Sequence, residues 1–234
     1  MGVGRWANNL PPENSVVTET EEVPNTAFLR EDAAVRERGL MKASSWMTPL
    51  LSPKEEIKVG CWNVRTLFAA GKLQQVSKEM DAYGLEILGL SEVRWTGEGK
   101  EIGPRGETIL YTGSKDKHEN GVAIMIKKDI GQSLMEWRGY GERIIKARFF
   151  SNHIKLTVVQ CYAPTNNADQ EEKDEFYSVL GDALSETSTH DMVIVMGDLN
   201  AKVGSDNTGY ENVIGRYGHG VRNEDLCQDH SLVI

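Results

Sequence analysis

The residues best placed to do chemistry stand at the ends of three short apolar runs. Val193-Ile194-Val195-Met196 leads through Gly197 to Asp198 and Asn200, a carboxylate and an amide two residues apart. Ile57 to Trp62 runs into Asn63, and Glu86 to Ser91 runs into Glu92. Short runs rich in β-branched residues read as strands, and Val193–Met196 reads as a buried one. Residues two apart in a strand point the same way, so Asp198 and Asn200 are expected to aim into one site. Three strand tips that each deliver an acid or an amide predict a polar site on a sheet edge. That is the form of a hydrolase that cuts phosphoesters with a divalent metal. A hard cation such as Mg²⁺ takes one or two protein carboxylates and keeps several waters, so Glu92 suffices as its anchor. Asn63 can bond a phosphate oxygen or orient a neighbouring carboxylate; an Asn after a strand also simply forms a turn. Asp198 is placed to hold an attacking water as base or orienter, and Asn200 to steady phosphate oxygens in the transition state. Tyr162 closes the run Val158-Val159-Gln160-Cys161. Its hydroxyl can donate to a phosphate or to a metal-site carboxylate, or its ring can pack at the core edge. Trp95, near Glu92, either walls the site, stacks on a substrate or packs against the sheet.

The elements that must position these groups begin near residue 57. A strand over 57–63 precedes a helix over 71–83, with Leu73, Val76, Met80 and Tyr83 at helical spacing, and then a strand over 86–91. Thr96 to Gly106 reads as a Gly-rich loop. Ile109-Leu110-Tyr111 and Gly121 to Ile126 are two further strands, joined by the polar stretch Gly113 to Asn120. Arg143–Phe150 and His153–Tyr162 form a hairpin turning at Ser151-Asn152, and Pro164 closes it. Asn167 is the expected N-cap of a helix over 168–186 with Phe176, Leu180, Ala183 and Leu184 on one face. The strand Val193–Met196 follows. This order predicts an α/β sandwich of mixed sheets with helices outside.

Residues 1–55 differ in kind. Glu13, Glu19, Glu21 and Glu22 lie among Pro11, Pro12 and Pro24, a composition that cannot bury enough apolar surface to order itself. Thr26 to Lys42 can form a transient charged helix without a clean apolar stripe, and Trp46, Met47, Leu50 and Leu51 can anchor the segment to the domain. The expected organisation is therefore an N-terminal extension over 1–55 and one domain over 56–234.

The chain has 35 acidic and 26 basic residues, a net charge of −9. That argues against a general electrostatic nucleic-acid binder but leaves a nuclease open, since local basic loops can sit on an acidic surface. Arg65, Lys72, Arg94, Lys115 and Lys117 are candidates for phosphate contacts, or are ordinary solvated charges. Asn166 and Asn167 either line a groove or cap the helix. The three cysteines, Cys61, Cys161 and Cys227, are widely spaced with no C-x-x-C, which points to a reduced intracellular protein without zinc. Cys61 and Cys161 fall in strand-like runs, as small core hydrophobes do. No run of about 18 apolar residues is present, and the N-terminus lacks the apolar core of a signal peptide.

Together, Trp62-Asn63-Val64, Leu90-Ser91-Glu92, Tyr162-Ala163-Pro164 and Gly197-Asp198-Leu199-Asn200 resemble the endonuclease/exonuclease/phosphatase superfamily, in the family's order and over about residues 57–234. The longer blocks Trp62 to Leu67, Glu92 to Gly97 and Tyr162 to Asn166 look most like the apurinic-type endonuclease domains of LINE-type retrotransposons. They are similar also to the host-encoded craniofacial development protein 2 group, which carries such a domain. The resemblance implies a four-layer α/β sandwich, two mixed β-sheets face to face and flanked by helices. It implies phosphodiester cleavage of a DNA substrate with Mg²⁺ (or Mn²⁺), and hence a nuclear location. Glu92 would be the metal ligand with Asn63 beside it, and Tyr162 would hold the scissile phosphate. Asp198 would orient or deprotonate the water, and Asn200 would stabilise the pentavalent transition state.

The family closes with an Asp-bearing strand and a Ser-Asp-His motif whose histidine contacts the phosphate. Gln228-Asp229-His230-Ser231 mimics it, but only about thirty residues separate Asp198 from Asp229, too few for the intervening strands. Asp229 and His230 are therefore expected to be decoys at a helix end. The domain is then incomplete at its C-terminus, and the isolated chain is weakly active or inactive. Two other functions compete: a phosphatase or deadenylase of the same superfamily, and a catalytically dead domain kept as an interaction module.

Overall fold

The structure, a computed structural model, describes residues 50, 56–200 and 208. The expected extension, Leu50 apart, lies outside the described residues, as do Cys227, Asp229 and His230. Leu50 is buried against the core, and its amide donates to the Phe150 carbonyl at 2.8 Å.

Nine strands and two α-helices are present among the described residues: β1 (Val59–Asn63), α1 (Lys72–Ala82), β2 (Ile87–Ser91), β3 (Glu98–Ile102), β4 (Thr108–Thr112), β5 (Val122–Ile126), β6 (Leu134–Tyr140), β7 (Ile144–Phe149), β8 (Leu156–Tyr162), α2 (Gln170–Ser185) and β9 (Met192–Asp198). They form two sheets, ordered β1-β2-β5-β4-β3 and β6-β7-β8-β9. Each sheet is mixed, with one parallel pair: β1 with β2 in the first and β8 with β9 in the second.

Period-two alternation sorts the side chains into layers. Ile87, Leu110, Val122, Ile124 and Ile126 from the first sheet meet Ile145, Ala147, Phe149, Leu156 and Val158 from the second, and this shared core holds the sheets face to face. The opposite face of the first sheet (Leu88, Leu90, Ile109, Ala123, Met125) is covered by Val76 and Met80 of α1. The opposite face of the second (Ile144, Val159, Cys161) is covered by Phe176, Leu180 and Ala183 of α2. The layers are thus helix, sheet, sheet, helix, as the sequence predicts. No helix of the described residues is long and apolar enough to cross a membrane.

The differences have local causes. The stretch 96–106 is not all loop: Glu98–Ile102 forms β3, a polar edge strand paired to β4. Its residues have little intrinsic strand preference, so the pairing comes from the neighbouring strand. Lys128–Ser133 forms a 3₁₀ turn leading into β6, neither of which the pattern signals. The N-cap of α2 is Asp169 rather than Asn167; its carboxylate accepts the Glu172 amide at 2.8 Å. Tyr83 caps the end of α1 and is 62% exposed instead of joining its buried face. The β7–β8 connection is longer than a Ser151-Asn152 turn, because pairing stops at Phe149 and Leu156. β9 is less buried than its apolar run implies, since it is the last strand of its sheet among the described residues, and Met192 and Val193 are exposed.

Candidate active site

Both parallel pairs run with their C-terminal ends toward the same end of the sandwich. In register, Asn63 lies beside Ser91 and Tyr162 beside Asp198. The inner faces bring the four tips together. The Asn63 side-chain amide donates from Nδ2 to Glu92 Oε1 and to Asp198 Oδ2, both at 2.8 Å. One amide thus bridges two carboxylates that belong to opposite sheets. Its own oxygen accepts the Arg65 backbone N–H at 3.0 Å, which fixes the amide's orientation. The Tyr162 hydroxyl donates to Glu92, and the Arg143 guanidinium lies 5.3 Å from the centre of the Tyr162 ring.

Glu92 does not arrive by strand alternation. It follows Ser91, whose hydroxyl is turned inward, so a continuing strand would send Glu92 to the outer face. Its backbone instead enters the left-handed region at φ 57°, and Arg65 and Arg94 do the same at 58°. Such conformations cost of order 1–3 kcal/mol each and persist where the surroundings impose them. Here the Val64 amide bonds Ser91 O and the Arg94 amide bonds Asn120 O, both at 3.0 Å.

Burial alone would raise the Glu92 carboxyl. Hydrogen bonds from Asn63, Arg94 and Tyr162, with the Arg94 charge, outweigh it and hold the group below the usual carboxylate range. Burial and the adjacent Glu92 charge push the Tyr162 phenol up, so it stays a donor. Burial also pushes the Cys161 thiol up to about 12, as suits an inert core residue.

β9 ends at Asp198, and Asn200 sits beyond it with φ 47°, so strand alternation does not place it. Its amide N–H bonds Asp198 Oδ1 at 3.2 Å, and its side chain donates to Ala163 O at 2.7 Å. Asn200 therefore ties the tip of β9 to the residue after β8. Trp95 does not wall the site: it packs in the α1-side cluster, edge-on to Tyr111 with ring centres 5.1 Å apart. Of the basic candidates, Arg94 pairs with Glu92 at 3.0 Å and Lys117 with Glu119 at 3.4 Å, while Arg65, Lys72 and Lys115 are exposed.

Two residues beneath the site escape sequence reasoning. Gln160, fully buried, donates to Ser91 Oγ at 3.0 Å across the gap between the sheets. Gly89 leaves it room, since a Cβ there would fall 1.9 Å from Gln160 Oε1. The available signal was one polar residue inside the apolar run of β8.

The donor chemistry suits a hard divalent cation. Glu92 and Asp198 offer carboxylate oxygens, while Asn63 faces them with its Nδ2 and turns its oxygen to Arg65; Mg²⁺ takes one or two carboxylates and completes its shell with water. Among the described residues no group of three or more His, Cys, Asp or Glu side chains is placed to enclose a metal.

The chain is similar in sequence to known proteins. Craniofacial development protein 2 from Tragulus javanicus is 36% identical over 218 residues, covering 90% of this chain and 37% of that protein. The Bos taurus protein of the same name is 35% identical, covering 90% and 36%. The chain thus spans little more than a third of these relatives. Among solved structures, an AP endonuclease from Archaeoglobus fulgidus is 17% identical with a TM-score of 0.45, covering 64% of this chain and 59% of its own. A humanised D. rerio TDP2 is 17% identical with a TM-score of 0.45, covering 62% and 66%. The model of the Endonuclease/Exonuclease/phosphatase family matches residues 60–218, a span that starts in β1 and holds all the strand tips just described. On that match, which takes in well over half of its length, the chain belongs to the endonuclease/exonuclease/phosphatase family.

Proposed function

We propose that this chain is a Mg²⁺- (or Mn²⁺-) dependent phosphodiesterase that cleaves DNA internally. The observation that carries the reading is the Asn63 amide, held between Glu92 of one sheet and Asp198 of the other at 2.8 Å each. That arrangement sets a cation anchor and a water-orienting carboxylate side by side without direct like-charge contact.

Glu92, with Asn63 beside it, would hold the metal, which supplies Lewis-acid stabilisation of charge on the phosphate oxygens. Asp198 is oriented by Asn63 and by the Asn200 amide, so its carboxylate can align a water for in-line attack or accept its proton. The Tyr162 hydroxyl remains protonated and can turn from Glu92 to a phosphate oxygen. Asn200 is proposed to steady the transition state, a role its side chain can take only by exchanging Ala163 O for the phosphate.

Three substrates separate the reading from its competitors: an internally labelled DNA duplex, p-nitrophenyl phosphate, and RNA with a 3′ adenosine tail. Each is incubated with the chain in Mg²⁺ and in EDTA. Internal DNA cleavage that needs Mg²⁺ supports the proposal. Release of p-nitrophenol alone, or trimming of the tail alone, replaces it with the phosphatase or deadenylase reading. No turnover by the folded chain replaces it with a binding module.

A further inference from the structure

Phe68 is the most exposed of the large apolar side chains among the described residues, at 64%. Leaving such a ring in water forgoes the free energy its burial would bring. The ring is nonetheless held in place. The preceding Leu67 is buried and bonds Val93 O through its amide at 3.0 Å, and the Phe68 amide bonds Thr66 Oγ1 at 3.0 Å. The ring packs on His118 with centroids 4.3 Å apart and planes tilted by 42°. His118 in turn is fixed through Nδ1 to the Arg94 carbonyl at 3.0 Å, and Arg94 reaches Glu92 with its guanidinium. Two loops, one after β1 and one after β4, thus present an ordered aromatic pair one residue's reach from the metal anchor. The Arg94 side chain is 44% exposed, so the cation that links the pair to Glu92 stays open to solvent on a chain that is otherwise acidic.

We infer that Phe68 and His118 form a stacking platform for a nucleobase of the strand whose phosphate sits at Glu92. The inference rests on the phosphodiesterase reading above and narrows its substrate to a nucleic acid with an unpaired or splayed base beside the scissile position. Every base has a π-face, so such a platform is sequence-tolerant. A small phosphoester has no base to place there, and the platform would contribute nothing to its hydrolysis.

The test is fluorescence anisotropy on the full chain in EDTA, where no cleavage intervenes. Two single-stranded oligonucleotides of equal length are compared, one with normal bases and one with tetrahydrofuran abasic units throughout, so that phosphate charge is constant. Phe68→Ala is expected to weaken binding of the base-bearing strand about 5- to 150-fold, the range one stacked base supplies. It should leave the abasic strand unchanged, and Phe68→Trp should keep wild-type affinity. At an exposed position these replacements leave the core intact, which circular dichroism checks. Equal losses on both strands, or none on either, overturn the platform while the phosphodiesterase reading stands. Failure of the wild-type chain to bind or cut any oligonucleotide overturns both.

Discussion

Replacing Gly197 by Ala is predicted to dismantle the site from behind. Gly197 pairs with Cys161 in the parallel β8–β9 ladder, one rung before Tyr162 and Asp198. A Cβ built there lies 1.9 Å from Cys161 O, 2.8 Å from its C and 2.9 Å from its N, all backbone atoms. Ordinary C···O contact begins near 3.3 Å, so the strands must part by roughly 1.4 Å. The backbone itself sits at φ 145°, a region that L side chains rarely enter. Strain of about 1–3 kcal/mol adds to overpacking of about 1–3 kcal/mol, a loss of roughly 2–6 kcal/mol against a typical total of 5–15. The opening falls one rung before Asp198, which is held 2.8 Å from Asn63, and misplacement by 1 Å costs on the order of 100-fold in rate. Urea unfolding followed by tryptophan fluorescence reads the stability, and Mg²⁺-dependent cleavage of a labelled oligonucleotide reads the activity. Gly141→Ala is the control, since Gly141 has φ 69° with nothing within 4 Å of a Cβ. It carries the conformational cost alone, about 1–2 kcal/mol for an L residue in the left-handed region, without loss of activity. A Gly197→Ala chain with the wild-type urea midpoint and undiminished cleavage would show that the close approach of β8 and β9 at Gly197 does not hold the site.

Tyr162→Phe keeps the buried ring and removes one hydrogen bond to a charged group, so turnover should fall about 10- to 100-fold with little change in melting temperature; a melting shift without a rate change would contradict a site role. Gly89→Ala should cost about 1–3 kcal/mol by displacing Gln160 from Ser91, and adding Gln160→Ala should recover part of that loss in a double-mutant cycle. Strict additivity would show that the two do not meet. Asp191 accepts Arg148 Nε at 2.6 Å, Arg148 NH2 at 3.0 Å and Thr157 Oγ1 at 2.8 Å, and these outweigh its burial to hold its carboxyl low. A depressed carboxyl stabilises the fold above its unfolded value near pH 4, and that contribution fades as pH drops through the lower folded value. Asp191→Asn should therefore destabilise by about 2–4 kcal/mol at pH 7 and match wild type more closely below pH 4 in urea titrations; a pH-independent gap would count against the ion pair.

Much of the fold was legible because apolar alternation and turn residues are local signals. The runs at Asn63, Ser91 and Tyr162 each ended where a strand ends, and the run Val193–Met196 stops two residues short of the end of β9 at Asp198. β3 was not legible, because Glu98-Gly99-Lys100-Glu101 becomes a strand only beside β4. Val193 was read as buried because residue type does not say which strand lies at a sheet's edge. The residues of the candidate site were visible as types at strand tips, but the geometry that gathers them was not. Glu92 and Asn200 are aimed by left-handed turns at non-glycine residues, which are imposed by tertiary hydrogen bonds and leave no mark on composition. The Ser91–Gln160 bond beneath them joins residues 69 apart in sequence, beyond the reach of any local pattern.

The most direct test of the account is nicking of supercoiled plasmid by the chain in Mg²⁺, alongside Glu92→Ala and Asp198→Ala. A relaxed-circle product is expected from the wild-type chain, however slowly formed, abolished by EDTA and by either substitution while both variants keep the wild-type circular dichroism. Nicking that survives both substitutions, or none from a folded chain in saturating Mg²⁺, would contradict it.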